Sequence, residues 1–392
     1  MEARAVYIHI PFCHEICHYC DFAKMYYDEE TADQYLSSLQ KEIGMYVDNG
    51  PLEVDTIYIG GGTPTSLTPP QLERLFETIS YYFNTDLVKE WTIEANPGEF
   101  EEEHVQLMAR YGVNRVSLGV QVLDDDYLQE LNRIHSVADV SRSVDLLKQY
   151  GLTNISMDFI YALPNQSIDH FRRTLEQALS YDLPHYSSYA LQIEPKTVFY
   201  MRYQKGQLTK PPEEDEAAMF HTLVDLMEQH GLNHYEISNF SKPGYESQHN
   251  LTYWANVPYY AFGAGAHGYL NDERYVNLRP VNHYNDYIQK DMKPVVHREP
   301  TSLKEQIEEE MFLGLRRQSG VSDDEFQKRF GFSFFDLYKE EIERLKQKGW
   351  LTHKNDRIAL TRDGMLFGND AFASFLIDDS TWNKKFSIDS PK

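Results

Sequence analysis

The three cysteines of the chain are the residues whose type and spacing most directly indicate a chemistry. Cys13, Cys17 and Cys20 are the only cysteines, and their spacing is C-x3-C-x2-C. An odd number of cysteines crowded near the N-terminus makes a poor disulfide framework for a chain of 392 residues. Three thiolates can instead hold three irons of a cubane, which leaves a fourth iron open to an exogenous ligand. The triplet therefore predicts a [4Fe-4S] cluster with one open iron.

A zinc site is the alternative interpretation of the same triplet. His14 or His18 could complete a set of three cysteines and one histidine, which is a common structural zinc site. Such sites usually collect paired ligands from two separate knuckles, and the sequence offers no second pair of cysteines. The spacing therefore favours the cluster over zinc.

The segments around the cysteines predict an α/β fold with parallel strands. Strand-like runs rich in β-branched and aromatic residues are Ala5–Ile10, Asp55–Ile59, Glu90–Glu94, Arg115–Val120, Asn154–Ile160 and His185–Leu191. Helical periodicity is found between them at Thr31–Val47, Pro70–Tyr82, Glu101–Tyr111, Val137–Tyr150 and Ile168–Ser180. Repeated βα units indicate a closed or partly closed barrel or a doubly wound sheet. The cysteines follow the first strand, and ligands gather at the carboxyl ends of such strands.

The remainder of the chain follows a different pattern. An aromatic region over His234–Tyr287 shows no clear periodicity and is expected to be irregular. Three helical stretches and a short hairpin then predict a small winged-helix-like α+β domain, with the helices at Ser302–Arg317, Asp323–Phe330 and Phe334–Lys348. Winged helices often bind DNA, but no strongly basic recognition helix is present. A structural or docking role is therefore preferred.

Charge and hydropathy narrow the classes of partner. Lys and Arg number 37 against 61 Asp and Glu, and the resulting net charge of -24 repels nucleic acid and anionic lipid. No apolar run approaches the roughly 18 residues of a membrane span, and the N-terminus lacks the pattern of a signal peptide, so we expect a cytoplasmic protein. Aromatic residues make up 14% of the chain, which is compatible with a flat ligand.

The cysteine spacing resembles that of the radical-SAM superfamily. The flanking segments Tyr7–Cys13 and Tyr19–Phe22 look like the subgroup that contains oxygen-independent coproporphyrinogen III dehydrogenases and HemW heme chaperones, and the similarity extends to about Gly364. The resemblance implies a partial (β/α)6 barrel, a [4Fe-4S] cluster and S-adenosylmethionine (SAM). It also implies three regions: a radical-SAM core over 1–240, an irregular aromatic segment over 241–300 and a winged-helix-like domain over 301–380.

A glycine run after the second strand is the first candidate for binding SAM. Gly60–Thr65 reads GGGTPT, and consecutive glycines let the backbone approach a ligand closely, although a tight turn explains such a run equally well. The segment is similar to the GGGTP motif with which these families bind the methionyl amine. That similarity assigns Gly61, Gly62 and Thr63 to the ligand.

Further SAM contacts come from the resemblance at the ends of the strands. It assigns to the ligand Tyr7, Tyr19, Glu94, Gln121, Arg133, Asp158 and Ala190. For Gln121, Arg133 and Asp158, a hydrogen bond within the barrel rim explains the polar side chain as well as a ligand does. Whether a second SAM binds stays open.

A late glycine motif is excluded as a dinucleotide site. Gly263–Gly268 satisfies G-x-G-x-x-G, but the fingerprint requires a strand before it and a helix after it. No helical pattern follows, so we expect the segment to let the backbone pass close to a bound ligand.

Two features of this chain differ from the coproporphyrinogen dehydrogenases. Coproporphyrinogen dehydrogenases have a further cysteine where this chain has Phe22, and they carry an N-terminal arm before the first strand, whereas only five residues precede Val6. His249–Trp254 matches the HNxxYW signature of the HemW chaperones. An imidazole is a standard axial ligand of heme iron, so His249 is the predicted heme ligand, although a locally hydrogen-bonded histidine among core aromatics is the alternative.

These observations favour a heme chaperone that carries a cluster and an exchangeable SAM. Its partners would be heme and acceptor apo-hemoproteins, for which membrane respiratory proteins are candidates, and no catalytic residue is assigned. The alternative is catalysis: dehydrogenation of coproporphyrinogen III or another reaction that begins with radical cleavage of SAM. A protein scaffold stabilised by zinc is a third hypothesis.

Overall fold

The computed structural model of the protein describes residues 2–47 and 50–386. Cα packing divides the chain into two compact units. The first comprises Met1–Asn233, Ser238–His249 and Pro258–Glu299, and the second comprises His234–Ile237, Asn250–Val257 and Pro300–Lys392.

A sheet built mainly of parallel strands forms the centre of the first unit. The strands up to residue 300 are β1 (Ala5–Ile10), β2 (Phe12–Cys13), β3 (Met25–Tyr26), β4 (Thr56–Gly61), β5 (Glu90–Ala95), β6 (Arg115–Gln121), β7 (Ile155–Tyr161), β8 (His185–Ala190), β9 (Asn233–Glu236), β10 (Asn239–Ser241), β11 (Tyr260–Phe262), β12 (His267–Leu270), β13 (Glu273–Asn277) and β14 (Val295–Pro300). The order β1-β4-β5-β6-β7-β8 is parallel throughout, with β11 parallel to β1 at one edge and β10 antiparallel to β8 at the other. The predicted partial barrel of six βα units is confirmed.

Helices connect the parallel strands. Those up to residue 300 are α1 (Glu29–Gly44), α2 (Pro69–Tyr82), α3 (Glu102–Tyr111), α4 (Asp125–Glu130), α5 (Val137–Gln149), α6 (Ile168–Leu179), α7 (Val198–Gln204), α8 (Glu213–Gln229), α9 (Gln248–Trp254) and α10 (Val281–Gln289). Local sequence fixes their ends: Asp28 caps α1 by accepting the amide of Thr31, and Gly112 ends α3 with φ of 90°. Helices α4 and α7 were not predicted, because six and seven residues are too few to show a periodic pattern.

The expectation that His234–Tyr287 is irregular is wrong, because most of this region has regular secondary structure. Short strands and two helices occupy most of it, and β12 and β13 pair as an antiparallel hairpin. The hairpin turn has Asn271 and Asp272 at φ of 53° and 57°, a conformation that these residue types tolerate. Strands of three to five residues contain too few alternations to be recognised in the sequence.

The second unit contains the predicted small α+β domain. Its elements are α11 (Leu303–Gly314), β15 (Val321–Ser322), α12 (Asp323–Phe330), α13 (Phe335–Gln347), β16 (Leu351–Lys354), β17 (Arg357–Leu360), α14 (Arg362–Leu366), α15 (Gly368–Ala373) and α16 (Asp379–Phe386). The three strands form one sheet in the order β15-β17-β16, which together with α11, α12 and α13 gives a winged-helix-like arrangement. Within the described ranges, no helix combines the length and the apolar character needed to cross a membrane.

Candidate functional site

The cysteine loop leaves the barrel at the carboxyl end of β1. Cys13 ends the short strand β2 and is buried, while Cys17 and Cys20 are half-buried, and all three thiols are free of disulfides. The strand β2 pairs with β3, which places Tyr26 beside Cys13 and closes the loop between them. The structure thus brings the three predicted ligands together in one loop at the end of the barrel where ligands usually bind.

A segment after α4 clamps the first half of this loop. The amide of His18 donates to the Leu131 carbonyl at 3.0 Å, and Asn132 Nδ2 donates to the Ile16 carbonyl at 2.9 Å. Arg133 Nη1 lies 3.3 Å from Cys17 Sγ. Asn132 adopts φ of 61°, which the short amide side chain tolerates. The clamp holds Cys17 through the backbone on both sides of it as well as through its sulfur.

The glycine run lies against the other end of the loop. The amide of Gly62 donates to the Ile10 carbonyl at 2.8 Å, and that of Thr63 donates to the Phe12 carbonyl at 2.7 Å. A Cβ at Gly62 would lie 2.6 Å from the Phe12 carbonyl oxygen and 3.0 Å from Cys13 Sγ. Glycine is therefore required here by the close approach of the cysteine strand itself, which the sequence did not reveal.

The thiols have the chemistry of cluster ligands. Burial raises the pKa of the Cys13 thiol to about 12, and burial also raises the pKa of Cys20, so the thiolates need a nearby positive charge to form. Among the described residues, no three His, Cys, Asp or Glu side chains form a group suited to one metal ion. In a cubane each cysteine ligates a different iron, so three thiols on one loop with a buried cationic neighbour, Arg133, fit that group.

Glu94 occupies the barrel interior next to the glycine run. Its carboxylate accepts from Tyr58 Oη at 2.7 Å and from the Gly61 amide at 2.9 Å. Burial raises the pKa of Glu94 to about 7, while the hydrogen bond from Tyr58 opposes that rise. A carboxyl group with such a pKa titrates in the neutral range, and its ionised form can accept from a ribose hydroxyl or an ammonium group.

Arg133 makes more hydrogen bonds within the protein than its assignment to SAM implied. Its Nη2 donates to Asn96 Oδ1 and to the Gly119 carbonyl, each at 2.6 Å. Burial opposes its charge, yet the neighbouring Cys17 raises the guanidinium pKa above its ordinary value. Its Nε is buried without a hydrogen-bond partner, so this N–H is able to donate to a bound group. Both interpretations of Arg133, rim hydrogen bonds and ligand contact, are therefore compatible with its surroundings.

The other predicted SAM residues occupy varied environments. Asp158 accepts from Ser117 Oγ at 2.7 Å and from Ser156 Oγ at 2.9 Å, so the rim hydrogen bonds considered for it are present. Gln121 follows a bulge in β6 and has φ of 67°, a conformation in which strain is often stored near sites. Ala190 ends β8 and pairs with Tyr161. Their contact with SAM stays a prediction.

Two tyrosines complete the set. The ring of Tyr7 stacks on that of Tyr58 at a centroid distance of 6.1 Å, so Tyr7 belongs to the group around Glu94. Tyr19 packs instead against an apolar cluster that includes Leu131 and Phe199. The structure therefore brings Tyr7 to the barrel interior and places Tyr19 between the cysteine loop and the protein core.

Three residues of the site were not predicted from the sequence. Tyr58 contacts Glu94, Asn96 joins Arg133 to Thr63 Oγ1 through hydrogen bonds of 2.6 and 2.9 Å, and His9 Nε2 lies 2.7 Å from the Ala23 carbonyl in the cysteine loop. Strand alternation supplied a signal for two of them. Tyr58 precedes Gly60 by two residues on the same face of β4, and His9 follows Tyr7 by two on β1.

His249 lies at the opposite end of the strands. Its Nδ1 is 2.8 Å from Oγ1 of Thr56, the first residue of β4, and its amide donates to Glu90, the first residue of β5, at 3.0 Å. The side chain is completely buried, its ring lies 5.2 Å from that of Tyr58, and burial lowers its pKa to about 3. The surroundings of His249 match the alternative interpretation, that of a hydrogen-bonded histidine among core aromatic residues.

The packing of two other sequence motifs is visible in the structure. Within the second unit, the guanidinium of Arg316 lies over the ring of Trp254, the last residue of the HNxxYW match, at 4.3 Å. The strand β12 begins at His267, within Gly263–Gly268, where the dinucleotide fingerprint requires a helix, so the dinucleotide interpretation fails as expected. A Cβ at Gly263 would lie 2.4 Å from Tyr35 Oη, so close packing against α1 accounts for this glycine without a ligand.

Comparisons with known proteins agree with this architecture. A family model described as the Radical SAM superfamily matches residues 7–178, and one described as the HemN C-terminal domain matches residues 301–367. Heme chaperone HemW of Bacillus subtilis is 44% identical over 376 residues, which span 95% of this chain and 99% of that protein. Heme chaperone HemW of Escherichia coli is 32% identical over 382 residues, 95% and 98% of the two chains. The solved structure of coproporphyrinogen III oxidase (HemN) from Escherichia coli, a radical SAM enzyme, has a TM-score of 0.84 at 21% identity and covers 96% of this chain and 90% of that one, which supports the shared fold.

Proposed function

Because the chain belongs to the HemW family of heme chaperones within the radical SAM superfamily, we propose that it binds heme and passes it to acceptor apo-hemoproteins. The observation that carries this proposal is the relationship to the Bacillus subtilis chaperone over 95% of the chain at 44% identity. The two units of the fold are both included in that relationship. The acceptors are hemoproteins as a class, and membrane respiratory proteins remain candidates.

Cys13, Cys17 and Cys20 would hold a [4Fe-4S] cluster, which supplies an open iron for the amino and carboxylate groups of SAM and an electron. Gly61 and Gly62 allow the backbone to approach that site. The Thr63 hydroxyl lies 3.8 Å from Cys13 Sγ and accepts a hydrogen bond from Asn96 Nδ2, so Thr63 connects the sulfur to the Asn96 side chain. These residues orient the loop, and the proposal assigns them no proton transfer.

The barrel interior would receive the remainder of SAM. Glu94 presents a carboxylate that two donors already orient, and Arg133, whose Nη1 lies beside Cys17, offers its unpaired Nε–H. Negative and positive groups at neighbouring positions suit a zwitterionic amino acid head group. Tyr7, Tyr19, Gln121, Asp158 and Ala190 are kept in the proposed set.

The assignment of His249 to heme iron carries a structural condition. A heme can reach this imidazole only after the segment at the start of α9 separates from Thr56 and Glu90, because the side chain is completely buried. We retain His249 as a proposed ligand of a conformation in which that separation has occurred.

Radical catalysis is the second candidate function. The barrel shares its fold with a coproporphyrinogen III oxidase. Phe22, which stands where that subgroup has a further cysteine, is 63% exposed and offers no sulfur ligand. The chaperone proposal therefore rests on the family relationship, and the enzymatic one rests on the fold alone.

One experiment separates the two. The full chain is purified anaerobically, its cluster is reconstituted, and the same preparation is assayed for coproporphyrinogen turnover, SAM cleavage, heme binding and heme transfer to an apo-hemoprotein. We expect stoichiometric heme binding and transfer without porphyrinogen turnover. Formation of protoporphyrinogen over many turnovers, or failure to bind heme, would contradict the chaperone proposal.

A further inference from the structure

Two of the cysteine sulfurs accept hydrogen bonds from side chains outside the cysteine loop. The Thr63 hydroxyl donates to Cys13 Sγ at 3.8 Å, and Arg133 Nη1 donates to Cys17 Sγ at 3.3 Å. These donors come from distant segments of the chain, since Thr63 follows β4 and Arg133 follows α4. The side chain of Asn96 contacts both of them. Asn96 therefore lies between the donors to the two sulfurs.

A tight turn holds Asn96 at this position. Asn96 directly follows β5, and its carbonyl accepts from the amide of Glu99 at 3.1 Å. Pro97 and Gly98 occupy the two central positions, and Gly98 has φ of 72°, which is typical of a type II turn. The turn returns the Glu99 side chain to its first residue, where Glu99 Oε1 accepts from Asn96 Nδ2 at 2.8 Å. The local sequence thus fixes the side chain of Asn96 at the end of the strand.

The chemistry of its neighbours determines which way the Asn96 amide group faces. A guanidinium only donates hydrogen bonds, and an ionised carboxylate only accepts them. Arg133 Nη2, at 2.6 Å, therefore requires the amide oxygen, and Glu99 requires the amide nitrogen. The same nitrogen donates to Thr63 Oγ1 at 2.9 Å, so the Thr63 hydroxyl accepts with its oxygen and keeps its hydrogen for the Cys13 sulfur. Asn96 thus orients the donors to both sulfurs.

We propose that Asn96 is a positioning residue for the cluster, which directs the Thr63 hydroxyl at Cys13 and the Arg133 guanidinium at Cys17 and thereby raises the reduction potential. The inference rests on the proposed function, because it requires the [4Fe-4S] cluster which that function includes. Hydrogen bonds to the cysteine sulfurs are among the factors that set the potential of such a cluster. Donors at these sulfurs stabilise the additional negative charge of the reduced form, so their loss lowers the potential.

The two donors depend on Asn96 to different extents. Arg133 Nη2 also donates to the Gly119 carbonyl at 2.6 Å, so the guanidinium keeps one orienting partner when the amide is removed. The Thr63 hydroxyl loses the donor that determines its direction, and a hydroxyl rotates to suit the partners that remain. We therefore expect the larger part of the effect of Asn96 to pass through Thr63 to Cys13.

The test is a redox titration of the full chain with its reconstituted cluster, without SAM, in which electron paramagnetic resonance measures the reduced fraction. Asn96→Ala is compared with wild type, with Thr63→Val and with the double variant. Asn114→Ala is the matched control, because Asn114 also holds the backbone of β5, but it accepts from the Trp91 amide at 2.8 Å at the other end of the strand. Iron and sulfide content is measured in every sample.

We expect Asn96→Ala to shift the equilibrium about tenfold towards the oxidised cluster, which corresponds to a potential about 59 mV lower for one electron. Thr63→Val should lower the potential as well. In the Thr63→Val background, Asn96→Ala should add little, because the asparagine acts mainly through that hydroxyl. Asn114→Ala should keep the wild-type potential. A merely structural role of Asn96 would reduce the iron content without making the effect of one substitution depend on the other.

Three results would overturn the inference. A wild-type potential in Asn96→Ala with full iron and sulfide content would show that the amide does not act on the cluster. Additive shifts in the double variant would show that Asn96 and Thr63 act independently. If Asn96→Ala does not retain the cluster, Thr63→Val decides, and an unchanged potential in that variant refutes the inference.

Failure of the proposed function is distinguishable from these results because it is visible in wild type alone. Absence of heme binding would refute the chaperone proposal and leave the potentials of the variants interpretable. Zinc without iron or sulfide in the wild-type protein would refute the cluster, and with it the role of Asn96.

Discussion

Replacing Gly62 with alanine tests whether the glycine run serves the cysteine loop. The added Cβ would lie 2.6 Å from the Phe12 carbonyl oxygen, 2.9 Å from the Pro11 carbonyl carbon and 3.0 Å from Cys13 Sγ. Carbon and oxygen atoms approach comfortably to about 3.3 Å, so the strand before Cys13 must retreat by roughly 0.7 Å. Functional groups generally have to be held to within about 0.5 Å, so this retreat is enough to misplace the thiol.

The energetic cost of the same change is modest. Overpacking a well-packed site costs about 1–3 kcal/mol, against a net stability of about 5–15 kcal/mol for a typical domain. We therefore expect Gly62→Ala to fold, as judged by circular dichroism and a small loss in unfolding temperature. Its content of iron and sulfide after anaerobic reconstitution should fall well below that of wild type.

Gly368→Ala is the matched control for this prediction. The nearest atoms to a Cβ at Gly368 belong to the Phe372 side chain at 3.4 Å and beyond, which is ordinary van der Waals contact. Its cluster content should equal that of wild type. If Gly62→Ala binds the cluster with wild-type stoichiometry and resists a chelator equally well, the close approach described here does not constrain Cys13.

Three further predictions concern other parts of the barrel. Tyr58→Phe removes a hydrogen bond that opposes the rise caused by burial, a rise that brings the Glu94 pKa to about 7 with this bond in place. The midpoint of pH-dependent SAM binding should therefore move upward in calorimetric titrations, and an unchanged midpoint would exclude Glu94 as the titrating group. The pKa of His249 is about 3 in the folded protein and 6.5 ordinarily, so the unfolded state binds more protons between these pH values and the free energy of unfolding decreases as the pH falls through that window. Denaturant titrations of His249→Gln at several pH values should show a smaller decrease. An equal pH dependence of stability in the variant and in wild type would argue against the buried position. Asn132→Ala removes a 2.9 Å hydrogen bond to the loop before Cys17, so a chelator should extract iron from this variant faster than from wild type, while equal extraction rates would show that the clamp does not hold the cluster.

Much of the fold could be predicted because the barrel repeats one simple pattern. The strand Ala5–Ile10 was predicted with its observed bounds, and the other five central strands differ by one or two residues at one or both ends. Most of them contain several buried β-branched or aromatic residues, and a helix long enough to show its periodicity lies between each strand and the next. The cysteine site could also be predicted, because ligands within one loop are positioned by local sequence.

Contacts between distant segments could not be predicted in the same way. Asn132 contacts the loop at Ile16, and the amide of Gly62 reaches the carbonyl of Ile10, but neither pairing leaves a periodic or compositional signal. The short strands after residue 234 were missed for a related reason. They are defined by pairing with remote partners, as β11 is by β1, and pairing overrides the weak local preference of three residues.

His249 illustrates the difference between recognising a residue and knowing its environment. The HNxxYW match identifies a histidine of the right type, but the accessibility of its imidazole depends on Thr56 and Glu90, which precede it by more than a hundred residues. Tyr58 connects this end of the strands to the other, because its ring lies against His249 while its hydroxyl donates to Glu94. Any movement that withdraws His249 from the core therefore removes a packing partner from the side chain that helps set the Glu94 pKa. A variant of His249 consequently has to be assayed for SAM binding as well as for heme binding, because a loss of heme measured alone would not distinguish a missing iron ligand from a disturbed barrel.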